Sequence, residues 1–262
     1  MGAIRHKIHR YRSLISNFKN WPQFLAFKTG SGDVFKFKMR SGFEIEVPKK
    51  MLPPFKESFF DGVYFKGYPE NKVPKSGAID VIDIGANVGF FSLFMFSRFP
   101  EAKVYSYEPM PFNYNQLKSY QDHFSQFNWS AEQRAVADHR DGLVLHSSTI
   151  DGFSTMASVY AADQKGERIE VETLTLEDVF AKYNLNKVDL IKLDCEGSEY
   201  AILYKAPKEL IDKIELMSIE THPGTGEGEN HQGMISFLKG IGMQLKEQMN
   251  SDGTGYIWAW RP

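Results

Sequence analysis

Residues 81–89 read Val-Ile-Asp-Ile-Gly-Ala-Asn-Val-Gly, and a continuous apolar segment, residues 90–96, follows them directly. A short apolar run that ends at a glycine is typical of a buried parallel strand. Gly85 permits backbone conformations that other residues avoid, and Gly89 allows a ligand or the sheet to approach closely. The pattern therefore predicts a strand, a tight turn and the start of a helix whose free N–H groups face a ligand.

This turn discriminates between two classes of ligand. Dinucleotide-binding enzymes use G-x-G-x-x-G, in which the backbone packs against a pyrophosphate. This chain has D-x-G-x-x-x-G, and the carboxylate of Asp83 would repel a diphosphate but attract the ammonium group of S-adenosylmethionine. The turn therefore favours this methionine-derived cofactor over a nucleotide or an empty turn.

The composition is that of an ordinary globular protein of 262 residues, with 42% hydrophobic residues and 33 acids against 31 bases. The net charge of −2 argues against a general nucleic-acid binder. No stretch approaches the roughly 20 apolar residues that a membrane-spanning helix needs. The single cysteine, Cys195, excludes an intramolecular disulfide and fits a reducing compartment, so we expect a cytoplasmic protein. A homodimer remains an open alternative.

Residues 1–28 carry a strong positive charge, because they contain Lys and Arg but no acid before Asp33. Apolar residues at helical spacing predict an amphipathic helix that reaches Trp21: they are Ile4, Ile8, Tyr11, Ile15 and Phe18. We expect this helix to dock on the protein through its apolar stripe and to leave its basic face in solvent. Contact of residues 1–28 with an anionic membrane surface or an acidic partner is the alternative.

The segment that follows predicts small elements beside the main fold. Period-two alternation over residues 34–47 indicates a β-hairpin, and two prolines open a short helix over residues 53–60. Residues 61–68 are aromatic and glycine-rich, and we expect them to pack beside the ligand site. Residues 69–78 form a connector. We therefore divide the chain into an N-terminal extension, residues 1–78, and a main domain, residues 79–262.

From residue 79 onwards, strand and helix patterns alternate, which predicts an α/β fold with a doubly wound, mostly parallel sheet. The predicted main strands are residues 79–84, 103–107, 133–137, 188–193 and 214–219. An antiparallel insertion, residues 143–146 and 168–174, surrounds a polar loop at residues 147–166. Residues 244–249 and 256–260 form a closing hairpin at an antiparallel edge.

Acidic residues follow four of these strands. In a doubly wound sheet, ligands bind beyond the carboxyl ends of the strands, where the strand order reverses. Glu108 lies 19 residues after Gly89 (108 − 89), close to the spacing at which an acid accepts hydrogen bonds from ribose hydroxyls. Buried unpaired carboxylates are costly, so their clustering predicts a ligand with hydrogen-bond donors or positive charge.

The segment Ile-Lys-Leu-Asp-Cys-Glu-Gly-Ser-Glu, residues 191–199, places Lys192, Asp194 and Glu196 on one face of a strand end. An ion pair explains Lys192, and the two acids lie where a reacting group would be held. His222 is either a base, with an ordinary pKa of about 6.5, or a simple loop histidine. These oxygens and His222 would also suit Mg²⁺, but no spacing motif supports such a site, so we predict no metal.

Several of these stretches resemble the FkbM family of S-adenosylmethionine-dependent methyltransferases. They are FKMRSGFEIEV (37–47), DGVYFKG (61–67), VIDIGANVGFFSL (81–93), YSYEPMPFNYNQL (105–117), RAVAD (134–138), VETLTLEDVF (171–180) and IKLDCEGSEYAIL (191–203). The resemblance spans about residues 34–245, and the last stretch is its most specific part. One departure is Glu177, where the family usually has Asp, so we assign no role to it.

The resemblance implies a class I methyltransferase fold, which is Rossmann-like with seven strands, and O-methylation of a sugar, glycan or hydroxylated natural product. The expected cofactor-binding residues are Asp83, Gly85, Ala86, Asn87, Gly89, Glu108, Pro109, Arg134, Ala135, Val136 and Asp194. The expected catalytic residues, which face the acceptor, are Asp194, Glu196, Glu220 and His222. Residues 151–156 are a candidate lid. The alternatives are an NAD-dependent oxidoreductase, which would need the missing G-x-G-x-x-G, and a non-catalytic binding protein.

Overall fold

The computed structural model describes residues 2–150, 153–158 and 167–262. The N-terminal elements are α1 (Gly2–Asn17), α2 (Trp21–Thr29), β1 (Val34–Lys38), β2 (Glu44–Pro48), α3 (Leu52–Lys56) and a π-helical turn at Glu57–Asp61. Then come β3 (Asp80–Ile84), α4 (Phe90–Arg98), β4 (Lys103–Tyr107), α5 (Pro111–His123), β5 (Asn128–Glu132), β6 (Ala135–Ala137), β7 (Leu143–Ile150) and β8 (Phe153–Ser158). The remainder comprises β9 (Glu167–Val171), β10 (Thr173–Thr175), α6 (Leu176–Lys182), β11 (Val188–Leu193), α7 (Glu199–Lys205), α8 (Lys208–Ile211), β12 (Ile214–Thr221), α9 (His231–Gly240), β13 (Gln244–Met249) and β14 (Gly255–Trp260).

A seven-stranded sheet in the order β13-β14-β12-β11-β3-β4-β5 forms the centre of the fold. The five strands from β12 to β5 run parallel, whereas β14 is antiparallel to both β12 and β13. The strand order reverses between β3 and β11, which opens a crevice at their carboxyl ends. The predicted seven-stranded, mostly parallel α/β fold is confirmed, as is the antiparallel closing hairpin.

The third strand of the sheet differs from the prediction. It is β5, whereas the residues expected there form β6, which pairs with β10 in a separate two-stranded sheet. The sequence of β5, Asn-Trp-Ser-Ala-Glu, lacks an apolar run because an edge strand buries few side chains. Within β5 only Trp129 is buried, and its indole N–H donates a hydrogen bond to Ser106 Oγ at 2.8 Å. Polar edge strands therefore carry a weak sequence signal.

The insertion pairs as predicted, since β7 and β9 are antiparallel, but part of the expected polar loop is a strand. Residues 153–158 form β8, which pairs with β7. In the candidate lid, residues 151 and 152 lie outside the described residues, and residues 153–156 belong to β8.

The N-terminal extension shares an aromatic core with the sheet domain. Phe55 of α3 stacks on Phe37 of β1, with ring centroids 4.4 Å apart, and meets Phe90 of α4 edge-on at 5.2 Å. The indole N–H of Trp258 in β14 donates to the carbonyl oxygen of Val63 at 2.7 Å. The boundary between residues 78 and 79 stays a prediction, but packing across it fixes the extension against the end of the sheet where the crevice lies.

The predicted docking face of α1 is wrong for Ile8, Tyr11 and Ile15 and right for Phe18, which directly follows the helix. Ile8, Tyr11 and Ile15 are 47%, 49% and 42% exposed, while Leu14 and Phe18 are buried. The helix is turned in this way because its inner side carries polar anchors as well: Arg10 pairs with Asp61 at 3.0 Å, and Asn17 Nδ2 donates to a backbone carbonyl at 2.8 Å. Among the described residues, no helix combines the length and the apolar character that crossing a bilayer requires.

Candidate active site

A cavity opens at the carboxyl ends of β3, β4, β11 and β12, where the strand order reverses. The predicted site residues that line it are Gly85, Asn87, Glu108, Pro109, Ala135, Val136, Asp194, Glu196 and Glu220. The predicted residues that do not line it are Asp83, Ala86, Gly89, Arg134 and His222. We call the side built from residues 85–87, 107–113 and 135–145 the turn wall, and the side built from Glu57, Asp194, Glu196 and Glu220 the acid wall.

The two glycines of the turn have different tasks. Gly85 has φ +72°, and a Cβ atom there would lie 1.8 Å from the carbonyl oxygen of Asp194. Only glycine therefore allows the ends of β3 and β11 to approach each other so closely. Gly89 has φ +87°, and its added Cβ would meet Trp129 at 2.9 Å, so it serves packing inside the protein and not the cavity.

Glu108 is fixed at the end of β4 by the backbone. Its Oε2 accepts a hydrogen bond from the Asn87 N–H at 2.8 Å, and its Oε1 accepts one from the Met110 N–H at 2.9 Å. Burial raises the pKa of this carboxyl to about 7, against the effect of the two backbone donors. A carboxylate has about four lone-pair positions, so acceptor capacity remains for two hydroxyl groups of a ligand.

The position of Asp83 does not support the predicted contact with a ligand. Its side chain is fully buried behind the turn, where Oδ2 accepts a hydrogen bond from Ser92 Oγ at 2.7 Å. Oδ1 lies 3.5 Å from Lys192 Nζ. Burial raises the pKa of Asp83, and the charge of Lys192 opposes this rise. Asp83 therefore supports the turn from below.

Part of the turn wall is apolar, next to the polar side chains of Asn87, Tyr107 and Asn113. Met110, Leu143 and Leu145 line the cavity together with Ala135 and Val136, and sequence reasoning missed the first three. Arg134 turns away from the cavity, because its guanidinium pairs with Glu172 at 2.9 Å on the surface. This surface suits a flat apolar ring, such as a purine, placed next to the Glu108 carboxylate.

On the acid wall, the side chain of Asp194 is held by groups from two parts of the chain. Tyr64 Oη donates to Asp194 Oδ2 at 2.9 Å, which confirms that the aromatic segment 61–68 packs beside the site. Lys192 Nζ lies 3.5 Å from the same oxygen and donates to the carbonyl oxygen of Gly85 at 2.6 Å. Lys192 is thus the expected ion-pair residue, and it also ties β11 to the glycine turn.

Glu196 and His222 form an ion pair over a buried acid that sequence reasoning did not assign. Glu199 is fully buried and accepts hydrogen bonds from the backbone N–H groups of Gly197 and His222, at 2.8 and 2.7 Å. His222 Nδ1 lies 3.3 Å from the same Glu199 carboxylate, and His222 Nε2 lies 3.5 Å from Glu196 Oε2. The sequence signal for Glu199 was its place as the second Glu of the E-G-x-E pattern, residues 196–199. A buried carboxylate needs hydrogen-bond donors such as these two backbone N–H groups.

Protonation on the acid wall follows from this arrangement. Burial acts to lower the pKa of His222, but the hydrogen bond with Glu199 and the surrounding carboxylates outweigh it and raise the pKa to about 9. Burial raises the pKa of Glu196 to about 7, although the charge of His222 opposes the rise. At neutral pH His222 is therefore an imidazolium, and Glu196 is poised to take up or release a proton.

Two further features complete the acid wall. Burial and the charge of Asp194 raise the pKa of Glu220, and Glu57 of the N-terminal extension also lines the cavity. Asp194, Glu196 and His222 each offer one possible metal ligand, and these three atoms lie within 4.8 Å of one another. A metal ion bound there would displace the proton of His222 and replace its contact with Glu196.

Comparison with known proteins agrees with this geometry. The sequence model of the Methyltransferase FkbM domain matches residues 83–246. The chain is 27% identical to methyltransferase sdnD of Sordaria araneosa, over 66% of this chain and 75% of that protein. It is 26% identical to the 31-O-demethyl-FK506 methyltransferase FkbM of Streptomyces tacrolimicus, over 63% of this chain and 72% of that protein.

A solved structure also shares the fold. The crystal structure of methyltransferase FkbM from Methylobacillus flagellatus KT superposes with a TM-score of 0.51 at 14% identity, over 76% of this chain. The chain spans about half the length of that structure, since the match covers 47% of it. The domain match covers more than half of the chain and includes the end of β3 and all of β4, β11 and β12, so the chain belongs to the FkbM methyltransferase family.

Proposed function

We propose that this protein is an S-adenosylmethionine-dependent O-methyltransferase that acts on a hydroxyl of a sugar, glycan or hydroxylated natural product. The observation that carries the proposal is the pairing of two chemically different walls around one cavity. The turn wall offers Glu108 beside an apolar surface, which suits a nucleoside, and the acid wall offers carboxylates, which suit hydroxyl groups. The name of the Streptomyces tacrolimicus relative, with its O-demethyl substrate, supports an oxygen acceptor.

The residues of the turn wall fit the cofactor by their chemistry. Glu108 retains acceptor capacity for both ribose hydroxyls, Met110, Val136 and Leu145 would cover the adenine, and Gly85 leaves room above β3. Asp194, which lines the cavity, would attract the ammonium group, a role that the buried Asp83 is not placed to take. S-adenosylmethionine would supply an electrophilic methyl group. Methyl transfer is chiefly a positioning problem, and the fixed backbone contacts of Glu108 serve it.

The acid wall would orient the acceptor and remove its proton. An alcohol that gains a methyl group loses a proton, and a base with a pKa near the working pH is the most effective acceptor for it. Glu196, with a pKa of about 7, meets this condition. His222 would hold the Glu196 carboxylate through its positive charge, and Glu199 would hold His222. Asp194 and Glu220 would accept hydrogen bonds from neighbouring hydroxyls.

The test has two stages. Calorimetry with S-adenosylmethionine and with NAD should show binding of the first compound only. Incubation with labelled S-adenosylmethionine and a panel of glycans and hydroxylated natural products should then give a product that gains one methyl group on oxygen. Binding of NAD alone would favour the oxidoreductase, and binding of neither compound would end the proposal. Methylation at nitrogen or carbon would keep the cofactor and refute the hydroxyl acceptor.

A further inference from the structure

The outward face of α1 is an apolar stripe without a partner in the described structure. Ile8, Tyr11 and Ile15 follow one another at three- and four-residue spacing, so they lie on one face of the helix. Each is more than 40% exposed. Single exposed apolar residues are common on proteins, but three on two turns of one helix form a patch that marks an interaction surface.

The docking of α1 holds this stripe towards solvent. Leu14 is buried, Arg10 pairs with Asp61, and Asn17 donates to the carbonyl oxygen of Phe59. These anchors act at one side of the helix and towards its end, so the stripe cannot turn inward without breaking them. The exposure is therefore a property of the packed fold.

Positive charge borders the stripe on both flanks. At 100° per residue, Lys7 and Arg12 fall about 70° to either side of the stripe's centre. Next to it, a groove between α1 and α2 is lined by Lys7, Arg10, Lys28 and Lys56 around Tyr11 and Leu25. Within the described part of the chain, Lys7, Lys28 and Lys56 form no salt bridge with a carboxylate.

The groove keeps a net positive charge, since Arg10 alone among its four basic residues pairs with a carboxylate of the described residues. Burial lowers the pKa of Lys56, and the charges of Arg10 and Lys28 lower it further, which is the effect of like charges held together. Such a cluster is stabilised by an anionic partner that supplies several negative charges near one another.

We propose that α1 binds the surface of an anionic lipid bilayer, with the stripe at the boundary between headgroups and acyl chains and the lysines on lipid phosphates. An apolar face flanked by basic residues is the arrangement of helices that lie in this interface. A bilayer supplies both apolar depth for the stripe and dense negative charge for the lysines. A second copy of this chain fits less well, since two basic faces would repel each other.

Sedimentation with vesicles tests the proposal on the full chain. We expect binding to phosphatidylcholine vesicles that contain phosphatidylglycerol, little binding to phosphatidylcholine alone, and weakening as salt screens the charges. The triple variant Ile8→Ser, Tyr11→Ser, Ile15→Ser should bind anionic vesicles about tenfold more weakly, because it loses apolar burial. The control Val34→Ser, Met249→Ser changes exposed apolar residues elsewhere and should bind as the wild type does.

Paired charge-reversal substitutions test the electrostatic contribution to vesicle binding. Lys7→Glu with Arg12→Glu should also weaken binding by about tenfold, whereas Lys103→Glu with Lys246→Glu, which makes the same change in net charge, should not. Circular dichroism and the melting temperature confirm that each variant is folded. All of these residues lie on the surface, so folding should be retained.

Three outcomes would overturn the proposal. The wild type does not sediment with anionic vesicles, or the stripe variant binds them as well as its control does. In the third outcome, mass photometry shows a wild-type dimer that the stripe variant abolishes, which assigns the stripe to a second copy. Binding is measured without turnover, so none of these results bears on methyl transfer.

Discussion

On the turn wall, Glu108 takes its hydrogen bonds from two backbone N–H groups, whereas on the acid wall Glu196 faces the side chain of His222. The first arrangement is fixed by the fold itself, since the donors belong to the turn and to the start of α5. The second depends on charges, because Glu196, His222 and Glu199 set one another's protonation. The comparison indicates a wall fixed by the backbone for a constant ligand, and a wall in which charged side chains set one another's protonation for a reaction.

The largest effect is expected where the two walls touch. Gly85→Ala would place a Cβ atom 1.8 Å from the carbonyl oxygen of Asp194, so β3 and β11 must separate. We expect the free energy of unfolding to fall by about 3 kcal/mol or more and cofactor binding to be lost. Gly242→Ala is the control, since Gly242 has φ +83° and nothing within 4 Å of its added Cβ atom.

Urea unfolding of the two variants separates contact from backbone strain. Gly242→Ala should lose only about 1 kcal/mol, the cost of the left-handed conformation. If both variants lose the same free energy of unfolding, the fold tolerates separation of the two walls.

The next effect concerns the acid wall alone. Glu196→Gln removes the proposed proton acceptor and keeps its shape, so kcat should fall by about 10²- to 10⁴-fold while calorimetry shows unchanged cofactor binding. Glu209→Gln, on the surface of α8, should turn over as the wild type does. Normal turnover of Glu196→Gln would remove the acid wall from the proton transfer, and a parallel loss of cofactor binding would remove the distinction between the walls.

The corresponding change on the turn wall is Glu108→Gln. It replaces an ionisable carboxyl that has two acceptor oxygens with an amide that has one, so the cofactor should bind about 10- to 100-fold more weakly, while kcat at saturation changes less. An effect on kcat with unchanged cofactor affinity would contradict the ribose contact.

The same variant changes how stability depends on pH. The pKa of Glu108 is about 7 in the folded protein, above its ordinary value of 4.5, so the folded state holds this proton more tightly. The contribution of Glu108 to the free energy of unfolding is therefore complete below about pH 4.5. It is lost as the pH rises through 7, by on the order of 3 kcal/mol. Urea unfolding between pH 5 and 8 should show a shallower decline in Glu108→Gln; an identical slope would refute the raised pKa.

The sequence predicted the positions of residues on both walls better than it predicted the contacts among their side chains, for a physical reason. Gly85 and Glu108 act through backbone geometry, and backbone geometry leaves a local spacing pattern. Glu199 acts through His222, 23 residues away in the chain, and no local pattern records that contact. Asp83 showed the limit of spacing even on the turn wall: its position was correct, but its direction, behind the turn, depends on Ser92 and Lys192.

The outer elements followed the same rule. The apolar main strands β3, β11 and β12 were predicted because buried parallel strands form continuous apolar runs. The edge strand β5 was misplaced because only Trp129 is fully buried there. The docking face predicted for α1 was wrong because helical spacing shows which apolar residues align on the helix. It does not show which side of the helix Arg10 and Asn17 fix against the protein.

The smallest expected effect is a shift in a pH profile. In the wild type, kcat/KM should rise with an apparent pKa near 7 as Glu196 loses its proton and fall near 9 as His222 loses its own. In His222→Gln the alkaline limb should disappear, and the acidic limb should move up by about one unit, because the opposing charge that lowers the pKa of Glu196 is gone. If charge sets protonation on the acid wall, both the loss of the alkaline limb and the shift of the acidic limb must be seen. Loss of activity with no shift of the acidic limb would show that His222 acts by position alone. If turnover requires a divalent cation, the positive charge at this site comes from a metal ion bound to Asp194, Glu196 and His222 and not from the imidazolium.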